Sequence, residues 1–149
     1  MKPREAPNST IAAFGYSESL IAETPHWMVL LRPQQVTLGS LVLACKAPVT
    51  AFSDIGPAAF ADLGAAIGRI EPVLRSAFAY DKINYLMLMM VDPHVHFHVL
   101  PRYSETRVFA HFPFEDKGWP AAPNLKEYNN IDDGIRAKLI EYLQESWGE

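Results

Sequence analysis

Three of the chain's five histidines stand at alternate positions in one run, His94-Val95-His96-Phe97-His98-Val99-Leu100-Pro101-Arg102. Imidazole serves near neutral pH as nucleophile, proton carrier or metal ligand, so a row of three is the part of this chain best equipped for chemistry. Alternation with a period of two is the pattern of a half-buried strand: Val95, Phe97 and Val99 turn toward a core while His94, His96 and His98 line the opposite face. Such a row has three uses. It can be structural, although crowding three imidazoles onto one face is poorly explained by packing or solubility. It can hold a metal, but at a rise of roughly 3.3 Å per residue His94 and His98 start about 13 Å apart, too far to converge easily on one ion. No Cys or Asp/Glu cluster at ligand spacing accompanies it. Or it can attack an electrophilic phosphorus, with one imidazole as nucleophile, a second stabilising charge and a third fixing the orientation.

The elements that must carry this row can be read along the chain. Residues 1–18 read as a loosely ordered leader, rich in Pro, Asn, Ser and Thr at its start. Residues 19–103 read as the core. Ser19 to Glu23 and His26 to Leu31 predict a hairpin about Thr24-Pro25, and Leu41 to Ala44 a further strand. Pro57 suits a first helical position, and Phe60, Leu63, Ile67, Ile70 and Leu74 give the following helix an apolar stripe. Gly64 and Gly68 are expected to let that helix approach the sheet closely, and Pro72 to kink or divide it. The apolar run Ile83 to Val91 predicts a central strand covered on both faces, with Met87, Met89 and Met90 filling the core, and Asp92-Pro93 turns it into the histidine strand. Residues 104–149 read as an extension of the same domain. It holds an irregular stretch with Arg107, Phe109, His111, Phe112 and Phe114, whose aromatics either pack on the domain or a partner or line a pocket, and an amphipathic helix from Asp132 to Trp147.

Bulk properties narrow the function classes. A chain of 149 residues, 49% hydrophobic and 20% charged, suits one globular α+β domain with a real core. A formal charge of −4 argues against broad binding to nucleic acid, so the expected partners are small molecules. The single Cys45 cannot close an intrachain disulfide, and Met1 to Thr10 lacks the apolar core of a signal peptide. A cytoplasmic location without membrane attachment is the expectation, since no apolar run approaches the length of a span.

The run from His94 to Leu100 resembles the defining motif of the histidine-triad (HIT) superfamily, His-φ-His-φ-His-φ-φ with φ apolar, and Pro101-Arg102 resembles its dinucleoside-polyphosphate hydrolase branch. The resemblance implies an antiparallel sheet of about five strands with one long helix packed on it, here followed by a C-terminal helix, in a homodimer that binds nucleotides or dinucleotides. It implies that His96 is the nucleophile, that His98 contacts phosphoryl oxygens and that His94 orients the site. The activity implied is hydrolysis or transfer of a nucleotidyl group from a phosphoanhydride or phosphoramidate, with no protein-bound cofactor or metal; any divalent ion would come with the nucleotide. Arg102, Ser40, Arg32 and Asn84 are the candidate substrate-binding residues. Gly39-Ser40 stands where family members carry Gly-His, Met89 to Pro93 replaces a glycine-rich phosphate-binding segment, and Arg32 corresponds to a ribose-binding Asn or Asp. A nucleotide-binding protein with little turnover is the alternative, and a His-dependent metalloprotein a further one.

Overall fold

The computed structural model describes residues 5–148. Five strands form one antiparallel sheet in the order β1-β2-β3-β5-β4: β1 (Leu20–Glu23), β2 (Trp27–Leu31), β3 (Leu41–Cys45), β4 (Lys82–Leu86) and β5 (His96–Arg102). The register fixes which side chains share a face. Met28, Ala44 and His96 form one rung and Leu30, Val42 and His98 the next, whereas Val29, Leu43 and Phe97 point the other way.

That second face carries the main core. Helix α2 (Gly56–Phe78) packs on it through Ala59, Ala66, Ile70, Val73, Leu74 and Phe78. The indole of Trp27, fully buried, donates from Nε1 to the Ala59 carbonyl at 2.8 Å. The buried stripe is rotated from the expected one. Phe60 is exposed, Leu63 and Ile67 are only partly buried, and Gly64 and Gly68 face open space, where an added Cβ would meet nothing within 4 Å. Small Ala59 and Ala66 make the close approach instead. Pro72 does not divide the helix, because it lies on the exposed side, where the Gly68 carbonyl it leaves free can bond to water.

Two further expectations are corrected. Ile83 to Val91 is not a central strand: β4 stops at Leu86 and lies at the sheet edge, and Met90 and Val91 beyond it are 83% and 93% exposed. Met87 and Met89 are partly buried against the core. The stretch after Arg102 is a hairpin, β6 (Arg107–Phe109) paired with β7 (Phe112–Phe114), turned by Ala110 and His111 at φ of 51° and 67°. The turn carries no Gly or Asn to signal it. Its aromatics pack away from the histidines, Phe109 against Phe78 and Tyr142. Tyr142 belongs to α3 (Asp133–Gly148), which is capped by the Asp132 carboxylate on the Ile135 N–H and buries Leu139 and Leu143.

Residues 5–18 do not form a loose leader; residues 1–4 lie outside the described part. Asn8 caps a short helix, α1 (Ser9–Ala13), and its side-chain amide donates to the Cys45 carbonyl on β3. Ile11, fully buried, covers Met28, Leu30, Val42 and Ala44 on the histidine face of the sheet, with Phe14 packed beside it. Strands β2 and β3 are therefore buried on both faces, which is why neither alternates in sequence.

Candidate active site at the histidine strand

His96 and His98 project from β5 onto the face that α1 covers, with ring centroids 5.1 Å apart. Phe14 stands over both, 5.5 Å from His96 and 5.7 Å from His98. His94 lies just before the strand, and Thr10 of α1 holds it: the Thr10 hydroxyl accepts from the His94 backbone N–H at 3.1 Å and meets the ring Nδ1 at 3.0 Å.

Hydrogen bonding assigns the protons. His96 Nδ1 is 2.7 Å from the His94 carbonyl oxygen, which can only accept, so Nδ1 carries the hydrogen. In neutral His96 the lone pair is then on Nε2. His98 has the opposite arrangement, because the Arg32 Nε–H donates to its Nδ1 at 3.4 Å and leaves its hydrogen on Nε2. Burial, then the Arg32 charge, then His96 lower the His98 pKa to about 4, so near neutral pH it is an uncharged donor. His96 is 2% exposed and His98 6%. No fully buried side-chain nitrogen or oxygen among the described residues lacks a partner. The two Nε2 atoms have no partner among the described residues, so these are the ring atoms that reach solvent.

Of the four candidate binding residues, the structure brings one to the histidines. Arg32 is 8% exposed beside His98. Ser40 is fully buried in its own turn, donating to the Thr37 carbonyl at 2.7 Å and accepting from the Thr37 N–H at 3.0 Å, so its hydroxyl is not presented to a ligand. Arg102 is 3% exposed and internally satisfied: two bonds run to Asp116 at 2.7 and 2.9 Å, one to Asn84 at 2.8 Å and one to the Ala121 carbonyl at 2.9 Å. Arg102 and Asn84 thus tie the tail to the sheet rather than reaching toward a phosphate.

The loop that carries Arg32 is held from within and from the tail. Gln35, fully buried, donates to the carbonyls of Arg32 and Ser40 and accepts from the Gly39 N–H. Asn129 donates to the Gln35 carbonyl, and Arg136 of α3 to that of Pro33. An open cavity of about 240 Å³ adjoins this loop, lined by Ala13, Phe14, Arg32, Pro33 and Gln34. Thr10, Phe14 and Gln35 were not anticipated as parts of the site. The signal available for the first two was the unbroken apolar run of β2 and β3, which requires a second cover. Among the described residues no group of three or more His, Cys, Asp or Glu is placed to hold a metal.

In fold the chain is similar to a histidine triad protein from Marinobacter aquaeolei, with a TM-score of 0.72 at 17% identity over 95% of this chain and 94% of that one. It is equally similar to one from Sinorhizobium meliloti, with a TM-score of 0.72 at 16% identity over 93% and 94%. A zinc-bound histidine triad family protein from Mycobacterium smegmatis gives a TM-score of 0.65 at 17% identity over 94% and 90%. At such low identity these are likenesses of fold. No curated protein matches the chain in sequence. The HIT domain matches residues 16–105, which takes in all five strands and the histidine run, and by that match the chain belongs to the HIT family.

Proposed function

We propose that the protein is a nucleotide hydrolase or nucleotidyltransferase acting on the α-phosphate of a nucleoside phosphoanhydride or phosphoramidate through a covalent nucleotidyl-His96 intermediate. One observation carries this reading: the His94 carbonyl fixes a His96 hydrogen on Nδ1, and Nε2, which bears the lone pair in the neutral ring, reaches solvent. Nε2 attacks phosphorus, the P–N bond forms, and the bond to the leaving group breaks with its electron pair. The positive charge that develops on the ring strengthens its bond to the carbonyl. His98 donates from Nε2 to a non-bridging phosphoryl oxygen, stabilising the charge that gathers there. Water or an acceptor hydroxyl then displaces His96, loses its proton to solvent and restores the neutral imidazole.

The nucleoside would lie in the cleft beside Phe14 and Pro33, which offer it apolar walls. The protein itself supplies no metal in this scheme. A homodimer is part of the reading: β4 is a sheet edge, and Leu88, Met90 and Val91 beyond it leave apolar surface exposed.

Intact-protein mass spectrometry with adenosine phosphoramidate and diadenosine polyphosphates tests the chemistry. A nucleotidyl mass increment in the wild type that is absent from His96→Ala is expected. Saturable nucleotide binding with neither adduct nor AMP release would instead favour a binding protein with little turnover, a reading supported by the burial of Ser40 in its own turn.

A further inference from the structure

Arg32 is a buried cation with no carboxylate to answer it. It is 8% exposed, and no ion pair is made to it among the described residues. Arg102, 3% exposed, has Asp116 in bidentate contact. Taking a cation out of water without a counter-charge is costly, and burial alone pulls the Arg32 pKa below its ordinary value. Its N–H groups are only partly used. Nη1 donates to the Gln34 carbonyl at 2.7 Å and Nε to His98 Nδ1 at 3.4 Å, while Nη2 has no partner among the described residues and is not sealed from solvent. Of the five residues lining the adjoining cavity of about 240 Å³, Arg32 is the one that carries charge.

We infer that the substrate carries a second anionic group, distinct from the phosphoryl group that His96 attacks, and that Arg32 binds it. The inference rests on the nucleotide reading given above. The cleft separates the two anions: the reacting phosphoryl group meets the two Nε2 atoms, whereas Arg32 lines, with Ala13, Phe14, Pro33 and Gln34, the cavity that takes the nucleoside. On that reading the group at Arg32 Nη2 belongs to the nucleoside and not to the phosphate chain under attack. A neutral ribose diol would leave the guanidinium charge uncompensated, whereas a phosphate accepts its N–H groups and neutralises it. The ligand class is a nucleoside that bears a phosphate on its ribose in addition to the 5′-phosphoryl group, with its planar base against Phe14.

Calorimetric titration of the full-length protein with AMP, adenosine 2′,5′-bisphosphate and adenosine 3′,5′-bisphosphate tests this without requiring turnover. One bisphosphate is expected to bind at least about tenfold more tightly than AMP, as a charge-assisted pair warrants. Arg32→Gln should erase that preference while AMP affinity changes far less, and Arg32→Lys should keep part of it. Equal affinity of the wild type for all three ligands would overturn the second anion while leaving the nucleotide reading intact. Equal losses for all three in Arg32→Gln would overturn it as well, reducing Arg32 to a residue that positions His98. If none of the three binds and no adduct forms with the phosphoramidate, the nucleotide reading fails and this inference with it.

Discussion

At the scale of single residues, the site depends on two imidazoles of one type holding opposite tautomers. A backbone carbonyl fixes His96 and a guanidinium fixes His98, so one ring presents a lone pair and the other a hydrogen at equivalent atoms. Nitrogen-15 NMR at neutral pH should find the hydrogen on Nδ1 in His96 and on Nε2 in His98. The pH dependence has a definite sign. His98 titrates at about 4 in the folded chain against an ordinary 6.5, so between those values the unfolded chain binds more protons. Stability attributable to His98 is full above 6.5 and is lost as the pH falls toward 4. Its three causes, in order, are burial, Arg32 and His96. Urea denaturation across this range should therefore give a falling midpoint in the wild type and a shallower fall in Arg32→Gln, which removes the second cause; parallel curves would refute the role of the Arg32 charge.

At the scale of elements, α1 is part of the sheet's second core and the roof of the histidine face. Ile11 is fully buried over the apolar half of that face, so Ile11→Ala should destabilise by about 2–5 kcal/mol, read from denaturant midpoints. Phe14 covers the imidazole half, and Phe14→Ala should speed modification of His96 by diethyl pyrocarbonate severalfold; an unchanged rate would show that the ring does not limit access. The turn before β3 has its own constraint. Gly39 has φ of 83°, and a Cβ there would stand 2.7 Å from the Phe78 ring of α2. Gly39→Ala should lower the melting temperature through both the strained φ and the displaced ring, whereas Ser40→Ala tests the turn's hydrogen bonds without either.

At the scale of the whole molecule, the tail after β5 is held to the sheet by charge in a dry place. The Arg102 and Asp116 side chains are 4% and 2% exposed, and their bonds join β5 to the segment after β7. Asp116→Ala would leave Arg102 buried and unpaired, and should destabilise by about 3–5 kcal/mol in a urea titration. Since Asn129 and Arg136 of the same tail hold the loop of Arg32, loosening the tail should also disorder that loop. The exposed edge of β4 bears on assembly. Sedimentation should give twice the chain mass, and Met90→Asp with Val91→Asp should shift it toward the monomer; an unshifted dimer would place the interface elsewhere.

The sheet's buried strands, the two long helices and the facing of His96 and His98 were legible in the residue pattern, because period-two and period-3.6 repeats are local consequences of side-chain direction. Other features lay beyond it. Tertiary structure decided that β4 is an edge, that Ala59 and Ala66 rather than Gly64 and Gly68 meet the sheet, and that residues 5–18 roof the histidine face; an apolar run does not name its cover. It also decided which polar residues remain free for a ligand. Arg102, Asn84, Ser40 and Arg32 were alike as candidates in sequence, but Asp116 occupies the first, Arg102 the second and Thr37 the third. Of these four, Arg32 lies beside His98 with no ion pair among the described residues. Whether a buried charge has a counter-charge depends on contacts between segments far apart in the chain, which residue type and spacing do not specify.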